Sequence, residues 1–204
     1  MTIKGEKMRY TLNVSPKAEE EREDENYDVE ESENTIYFYS GVTKKSIYDL
    51  NKKLDSIGKN LVIAAINLDI PTPEIKLKIN SGGGSLIDSF AAIDYIRASK
   101  APVHSIIEGQ AASAATLMSV VAKKRSITKH SVMLIHQLSA GMWGKFESMK
   151  DEIENCTLFM NTINEIYNKH TKIPKNVLKE ILKRDIYMDA KTCLKYGLVD
   201  KIID

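Results

Sequence analysis

The sequence predicts a single α/β domain built on a mainly parallel sheet, and three observations carry that prediction. Short β-rich apolar runs alternate with segments of helical spacing along most of the chain. One run, Val132 to Ile135, is continuously apolar, the pattern of a strand buried on both faces. The 204 residues suffice for one domain with a full core and are short for two. Alternating elements of this kind place crossover helices between parallel strands.

The elements follow in order. Between Lys17 and Asn34 lie ten acidic residues and two basic ones, with few apolar side chains among them. Such a stretch cannot bury enough surface to offset its ordering entropy. Residues 1–34 therefore read as a mobile acidic arm, either a solvated tail or a docking or gating element, and the domain is expected over 35–204. Its first strand is expected at Ile36 to Tyr39. Ile47, Leu50, Leu54 and Ile57 recur at helical spacing, and Leu61 to Leu68 continues that helix or follows it closely. Pro71 and Pro73 mark a connection. Ile75, Leu77 and Ile79 then alternate with Lys76 and Lys78, as in a strand with one buried face.

Ser81 to Gly84 is a glycine turn, and Ser85 with Asp88 forms a weak capping box before the stripe Leu86, Phe90, Ile93 and Ile96. Val103 to Ile107 is the next expected strand, and Ala111 to Val121 a short helix of small residues. A long polar helix is expected over Phe146 to Asn168, and another begins at Pro174. Asp189 to Tyr196 reads as a capped helix closed by Gly197, ahead of a last strand from Leu198 to Ile203.

Composition narrows the function classes. Hydrophobic residues at 43% and charged ones at 28% are those of a soluble globular protein. A net charge of +1 gives no global attraction to nucleic acid or to an acidic membrane. No apolar run approaches the roughly 20 residues of a membrane helix, and the N-terminus lacks the apolar core of a secretory signal. Cys156 and Cys193 have neither metal-like nor redox-like spacing and read as free thiols in a reducing compartment. The expectation is a cytoplasmic protein with no metal site and no nucleic-acid or membrane partner.

Three places put reactive groups at the ends of apolar elements, where α/β folds carry their sites. GQAAS at 109–113 lies between an expected strand and an expected helix, and Ser113 there is either a nucleophile or an N-cap. SGGGS at 81–85 can turn backbone N–H groups onto an anion, or can be only a turn. It lacks the lysine and spacing of a Walker A loop and the spacing of GxGxxG. His136 directly follows the buried run and suits a general base and acid. His104, His130 and His170 have no comparable setting. Acyl transfer by serine needs all three places together, with a carboxylate to orient the base. The order Ser113, His136, aspartate differs from the chymotrypsin, subtilisin and α/β-hydrolase orders, and GQAASA is no GxSxG elbow.

INSGGGS at 79–85, GQAASAAT at 109–116, VMLIHQ at 132–137 and RDIYMDAKTCLKYGLVDKI at 184–202 together resemble the proteolytic subunit of the Clp protease, ClpP. The likeness covers about 36–203, most strongly from residue 77 on. It implies a ClpP/crotonase-like fold with a protruding handle helix over about 138–170. It implies a serine endopeptidase with Ser113 as nucleophile, His136 as base and Asp185 as orienting carboxylate, Asp189 reading better as a helix cap. By the same likeness, the backbone N–H groups of Gly83 and Ala114 form the oxyanion hole. The resemblance further implies stacked heptameric rings, a tetradecamer enclosing a chamber, and polypeptide substrates fed by an AAA+ unfoldase. That partner would use the ATP, so no cofactor is expected in this chain.

Departures from the family pattern leave other readings open. The family's N-S-P-G-G is Asn80-Ser81-Gly82-Gly83-Gly84 here, which leaves the oxyanion position open by one residue. The Lys-, Ile- and Asn-rich composition points to a divergent member of a kind a phage could carry, for which capsid-protein processing is an alternative task. A serine–lysine dyad enzyme, a crotonase-type acyl-CoA enzyme and a non-catalytic ring subunit are the remaining alternatives. His136 in its motif and the absence of a membrane segment argue against the first, Ser113 with His136 against the second, and the filled triad positions against the third.

Overall fold

The computed structural model describes residues 29–204, so the acidic arm expected over 1–34 lies outside the described residues as far as residue 28. In chain order the elements begin with strands β1 (Glu30–Ser32) and β2 (Thr35–Phe38), helix α1 (Lys44–Leu68), β3 (Ile75–Ser81), α2 (Leu86–Ala98) and β4 (Val103–Ala112). They continue with α3 (Ala114–Val120), β5 (Lys124–Thr128), β6 (Val132–Leu134) and α4 (Phe146–His170). Last come α5 (Lys175–Ile181), β7 (Met188–Asp189), α6 (Ala190–Lys195) and β8 (Lys201–Ile203). The sheet order is β1-β2-β3-β4-β5-β8, with β6 on the end of β4 and β7 on β6. Every pairing is parallel except β1 with β2 and β7 with β6, as the alternation of strands and helices predicts.

Local chemistry explains the longest elements. Thr43 opens α1 with a reciprocal cap, its Oγ1 accepting from Ser46 N–H at 3.1 Å while its own N–H donates to Ser46 Oγ at 3.0 Å. Ile47, Leu50, Leu54 and Ile57 then face the core, and the helix runs on through Leu61 to Asp69, which ends it in the left-handed region at φ 51°. Beyond Ile57 the stripe loses its cover: Ile63, Ile66 and Leu68 are exposed. In β3, Ile75, Leu77 and Ile79 are completely buried between α1 and the rest of the core. Helix α4 buries only Ile163 and Tyr167, both in its C-terminal half, so most of its length lies uncovered. No helix among the described residues is long and apolar enough to cross a membrane.

Several boundaries differ from expectation, each for a tertiary reason. Strand β4 runs through Ala112 because Gln110, Ala111 and Ala112 pair with Val132, Met133 and Leu134, so the small-residue helix begins at Ala114 and not at Ala111. Strand β5 was not foreseen: it opens on Lys124 and Arg125 and has one large apolar residue, Ile127, and becomes a strand by pairing with β4 and β8. Strand β1 falls inside the stretch read as arm, held to β2 and by a 3.3 Å ion pair between Glu31 and Lys53. The last strand is confined to its final residues, because Leu198 closes the helix end by donating to the Cys193 carbonyl.

Arg125 ties the C-terminal elements to the sheet. Its Nε and Nη2 grip Asp200 at 3.0 and 2.5 Å, and Nη1 donates to the Gly197 carbonyl at 2.9 Å and to that of His170. The guanidinium holds the Asp200 carboxyl below its usual range. A depressed folded value means stability that is present above the unfolded value, about 3.9, and is lost as pH falls through the folded one. Asp200→Asn should therefore lower thermal stability at neutral pH by about 1 kcal/mol, Asp200 being half exposed, with the difference from wild type vanishing at the acid end. Arg125→Met should cost more, about 2–3 kcal/mol, because two carbonyls lose a charged donor. Thermal melts over a pH series check both, and a constant Asp200→Asn deficit down to pH 2 would contradict the linkage.

Candidate active site

The site begins where β4 and β6 end side by side. Ala112 pairs with Leu134, and Ser113 N–H donates to the Leu134 carbonyl at 2.8 Å. Ser113 is thus one residue past the end of β4, and His136 two residues past the end of β6, at the carboxyl ends of adjacent parallel strands. Ser113 has φ 54° and ψ −126°, a conformation strained for any residue with a side chain. It stands at the N-cap position of α3 yet its side chain makes no cap bond. Its hydroxyl bonds to nothing among the described residues, His136 included, so the two are placed by their strands and not by each other.

His136 is half-buried, and its Nδ1 lies 3.0 Å from Asp185 Oδ1. Asp185 is exposed, on the loop from α5 to β7, and that loop is pinned nearby. Gln137 N–H donates to the Leu182 carbonyl at 2.7 Å, and Tyr187 Oη to Gln110 Oε1 at 3.0 Å. The rival carboxylate, Asp189, accepts from Thr192 N–H at 2.8 Å and caps α6, and its contacts with Thr192 hold its carboxyl below the usual range. The structure brings Asp185, and not Asp189, to the histidine.

The glycine turn closes the other wall. A Cβ on Gly83 would lie 2.7 Å from Ser113 Cβ and 2.6 Å from the Ala112 carbonyl, and φ there is 93°. Gly84 is bracketed by Val42, whose N–H donates to the Gly83 carbonyl at 2.7 Å and whose carbonyl accepts from Ser85 at 2.7 Å. Gly83 N–H is donated to Ser81 Oγ at 3.2 Å, whereas Gly84 N–H has no partner among the described residues. Ala114 N–H belongs to the first turn of α3, where amides lack intrahelical acceptors. Turn and helix start therefore present amides beside Ser113.

A second constellation imitates the first. Ser126 Oγ lies 2.8 Å from His104 Nε2, and His104 Nδ1 lies 3.0 Å from Glu74 Oε1. It sits at the opposite, amino ends of the strands, and Ser126 is 4% exposed, so no substrate reaches it. His104 there satisfies buried polar atoms. His170, pulled down by burial and by the nearby Arg97, Lys169 and Arg125, and exposed His130 are both outside the site. Cys193 is buried, which pushes its thiol to about 12 and makes it unreactive. No cluster of His, Cys, Asp or Glu among the described residues is placed to hold a metal ion.

The family model described as "Clp protease" matches residues 30–204. The chain belongs to the Clp protease family. The "ATP-dependent Clp protease proteolytic subunit" of Deinococcus radiodurans is 32% identical over 177 residues, covering 84% of this chain and 87% of that protein. This Clp protease chain is a serine-type endopeptidase with the mixed α/β fold expected of the family. Sequence reasoning missed two supports of its site, Val42 behind the glycine turn and Tyr167 beneath α3. Neither lies in a motif, and no local signal marks either.

The turn makes a graded prediction. Gly82 has open space around its Cβ direction, so Gly82→Ala should leave peptide hydrolysis within about twofold of wild type. Gly83→Ala and Gly84→Ala place a methyl into backbone at a positive φ and should each lower hydrolysis at least about a hundredfold. Steady-state hydrolysis of a fluorogenic peptide ranks the three, and an active Gly83→Ala enzyme would show that the turn does not border the reaction.

Proposed function

We propose that this protease cleaves peptide bonds with Ser113 as nucleophile, His136 as general base and acid, and Asp185 as the carboxylate that orients and stabilises the imidazolium. The observation that supports this most is the strained, uncapped Ser113 ending one strand while the His136–Asp185 pair ends the next. In the first step His136 takes the hydroxyl proton as Ser113 Oγ bonds to the scissile carbonyl carbon and the carbonyl electron pair moves onto oxygen. The imidazolium then passes that proton to the departing amine as the C–N bond breaks, leaving an acyl-enzyme. Water repeats the sequence and frees the acid. Ala114 N–H receives the oxyanion together with an amide of the glycine turn. Gly83 is the expected donor, and the unengaged Gly84 amide is the alternative one residue on.

The substrates we propose are unfolded or delivered polypeptides, cut inside a chamber of stacked heptameric rings in the cytoplasm. The peptidase domain spans 35–204, with 138–170 as the handle that joins rings. Apolar side chains left uncovered in the single chain support an assembly: Ile63, Ile66 and Leu68 on α1, and Trp143, Phe146, Ile153 and Leu158 on and before α4. The relative's name, an ATP-dependent protease's proteolytic subunit, supports an ATP-using AAA+ partner.

Labelling with a serine-directed fluorophosphonate tests the nucleophile. Wild type should label and Ser113→Ala should not; unlabelled wild type that is folded and assembled overturns the reading. His136→Ala should lower peptide turnover by about a thousandfold or more, since base and nucleophile act as a unit. Near-normal turnover in that variant would reassign the base. A mass measurement in solution decides the assembly, and a stable monomer would sink it.

A further inference from the structure

Thr116 Oγ1 lies 2.6 Å from the Ser113 carbonyl oxygen and 2.6 Å from Tyr167 Oη. Proton counting sets the direction of both bonds. A carbonyl only accepts, so the single Thr116 hydroxyl proton goes to Ser113, and Tyr167 must donate into Thr116 Oγ1. Thr116 N–H donates to the same carbonyl at 3.0 Å. Thr116 is 0% and Tyr167 1% exposed, so no solvent competes for these groups, and Tyr167 Oη has no other partner among the described residues. Burial raises the Tyr167 pKa, which keeps its proton in place.

We infer that Tyr167 and Thr116 are positioning residues for peptide hydrolysis, a buried relay that aims the Ala114 amide by holding the Ser113 carbonyl. The inference rests on the proposed roles of Ser113 and Ala114. The Ser113 carbonyl and the Ala114 N–H belong to one planar trans peptide and point in opposite directions. Drawing the carbonyl down toward Thr116 turns the amide up, to the wall formed by the glycine turn, where a Cβ on Gly83 would lie 3.1 Å from Ala114 N. The strained backbone of Ser113 gives this peptide a reason to rotate, and the relay opposes the rotation. Hydroxyls bonded in one direction also polarise each other, so the carbonyl is held more firmly than by Thr116 alone. Because Tyr167 is on α4, the seating of that helix bears on the amide some fifty residues away in sequence.

A buried tyrosine that merely needs a partner would produce the same contacts, so the test uses readouts that fold stability does not move. Tyr167→Phe keeps the ring and deletes the donor; Thr116→Val deletes the relay oxygen, and Thr116→Ser restores it. The fully assembled enzyme is assayed for kcat and KM on a peptide, and for inhibition by a peptide aldehyde, whose adduct with Ser113 carries a tetrahedral oxyanion. Tyr167→Phe and Thr116→Val should each lower kcat roughly 5- to 50-fold, short of the hundredfold or more lost when such a donor is removed outright. KM should stay within about twofold, and aldehyde affinity should fall by the same factor as kcat/KM. Thr116→Ser should return to within about twofold of wild type, and the double variant should be no worse than the poorer single one. Wild-type kcat and aldehyde affinity in a folded Tyr167→Phe enzyme, or a loss confined to KM, overturns the relay. Should Thr116→Val not fold, Tyr167→Phe alone decides. A wild type that takes neither aldehyde nor fluorophosphonate at Ser113 instead overturns the nucleophile, and the relay with it.

Discussion

Strand β4 changes neighbours part-way along its length, and the arrangement of the site depends on that change. His104 to Ile107 pair with β5, whereas Gln110 to Ala112 pair with β6. Gly109 marks the exchange at φ 85°, its N–H donated to Ser131 Oγ at 2.6 Å, and a Cβ there would press on the Asn80 side chain. Open α/β sheets bind ligands outside the carboxyl ends of their strands. Here the switch ends β4 beside β6, and that adjacency carries Ser113 next to His136. Where β4 pairs along its amino half with β5, the same strand supplies His104, partly buried and paired with the inaccessible Ser126.

The two histidines, one in the proposed triad and one outside it, differ in an instructive way. Both have a carboxylate 3.0 Å from Nδ1, and His104 even has a serine at hydrogen-bond distance. What separates them is the end of the sheet they occupy and the exposure of the serine. Distances within a constellation are therefore weaker evidence than its place in the topology. The exposed Asp185 carries a further implication: its attraction to His136 is weakened by solvent in the isolated chain.

Much of this was legible in the sequence, for identifiable reasons. The alternation in β3 and the helical stripe of α1 follow directly from burial periodicity, and Asp189 with Gly197 announced both ends of α6. Ser113, His136 and the glycine turn stood out because each interrupts an apolar element with reactive or permissive residues. Strand β5 and the end of β4 were hidden because their residues favour no strand on their own; pairing on both sides makes them strands. Tyr167 was hidden for another reason. In sequence it is one of three aromatic residues on a polar helix, and its meaning lies in the single hydroxyl it meets across the core.

The sheet also ends in a telling way. Among the described residues its edges are β1, three exposed residues of which two are glutamates, β8, three residues opening on an exposed lysine, and the two-residue β7. Brief, charged borders give an extended foreign chain too little backbone to zip onto. A peptidase meets such chains as a matter of course, each carrying unpaired amides and carbonyls. Blunted margins of this kind disfavour recruitment of such chains as extra strands, so the outline of the sheet works against co-aggregation with them.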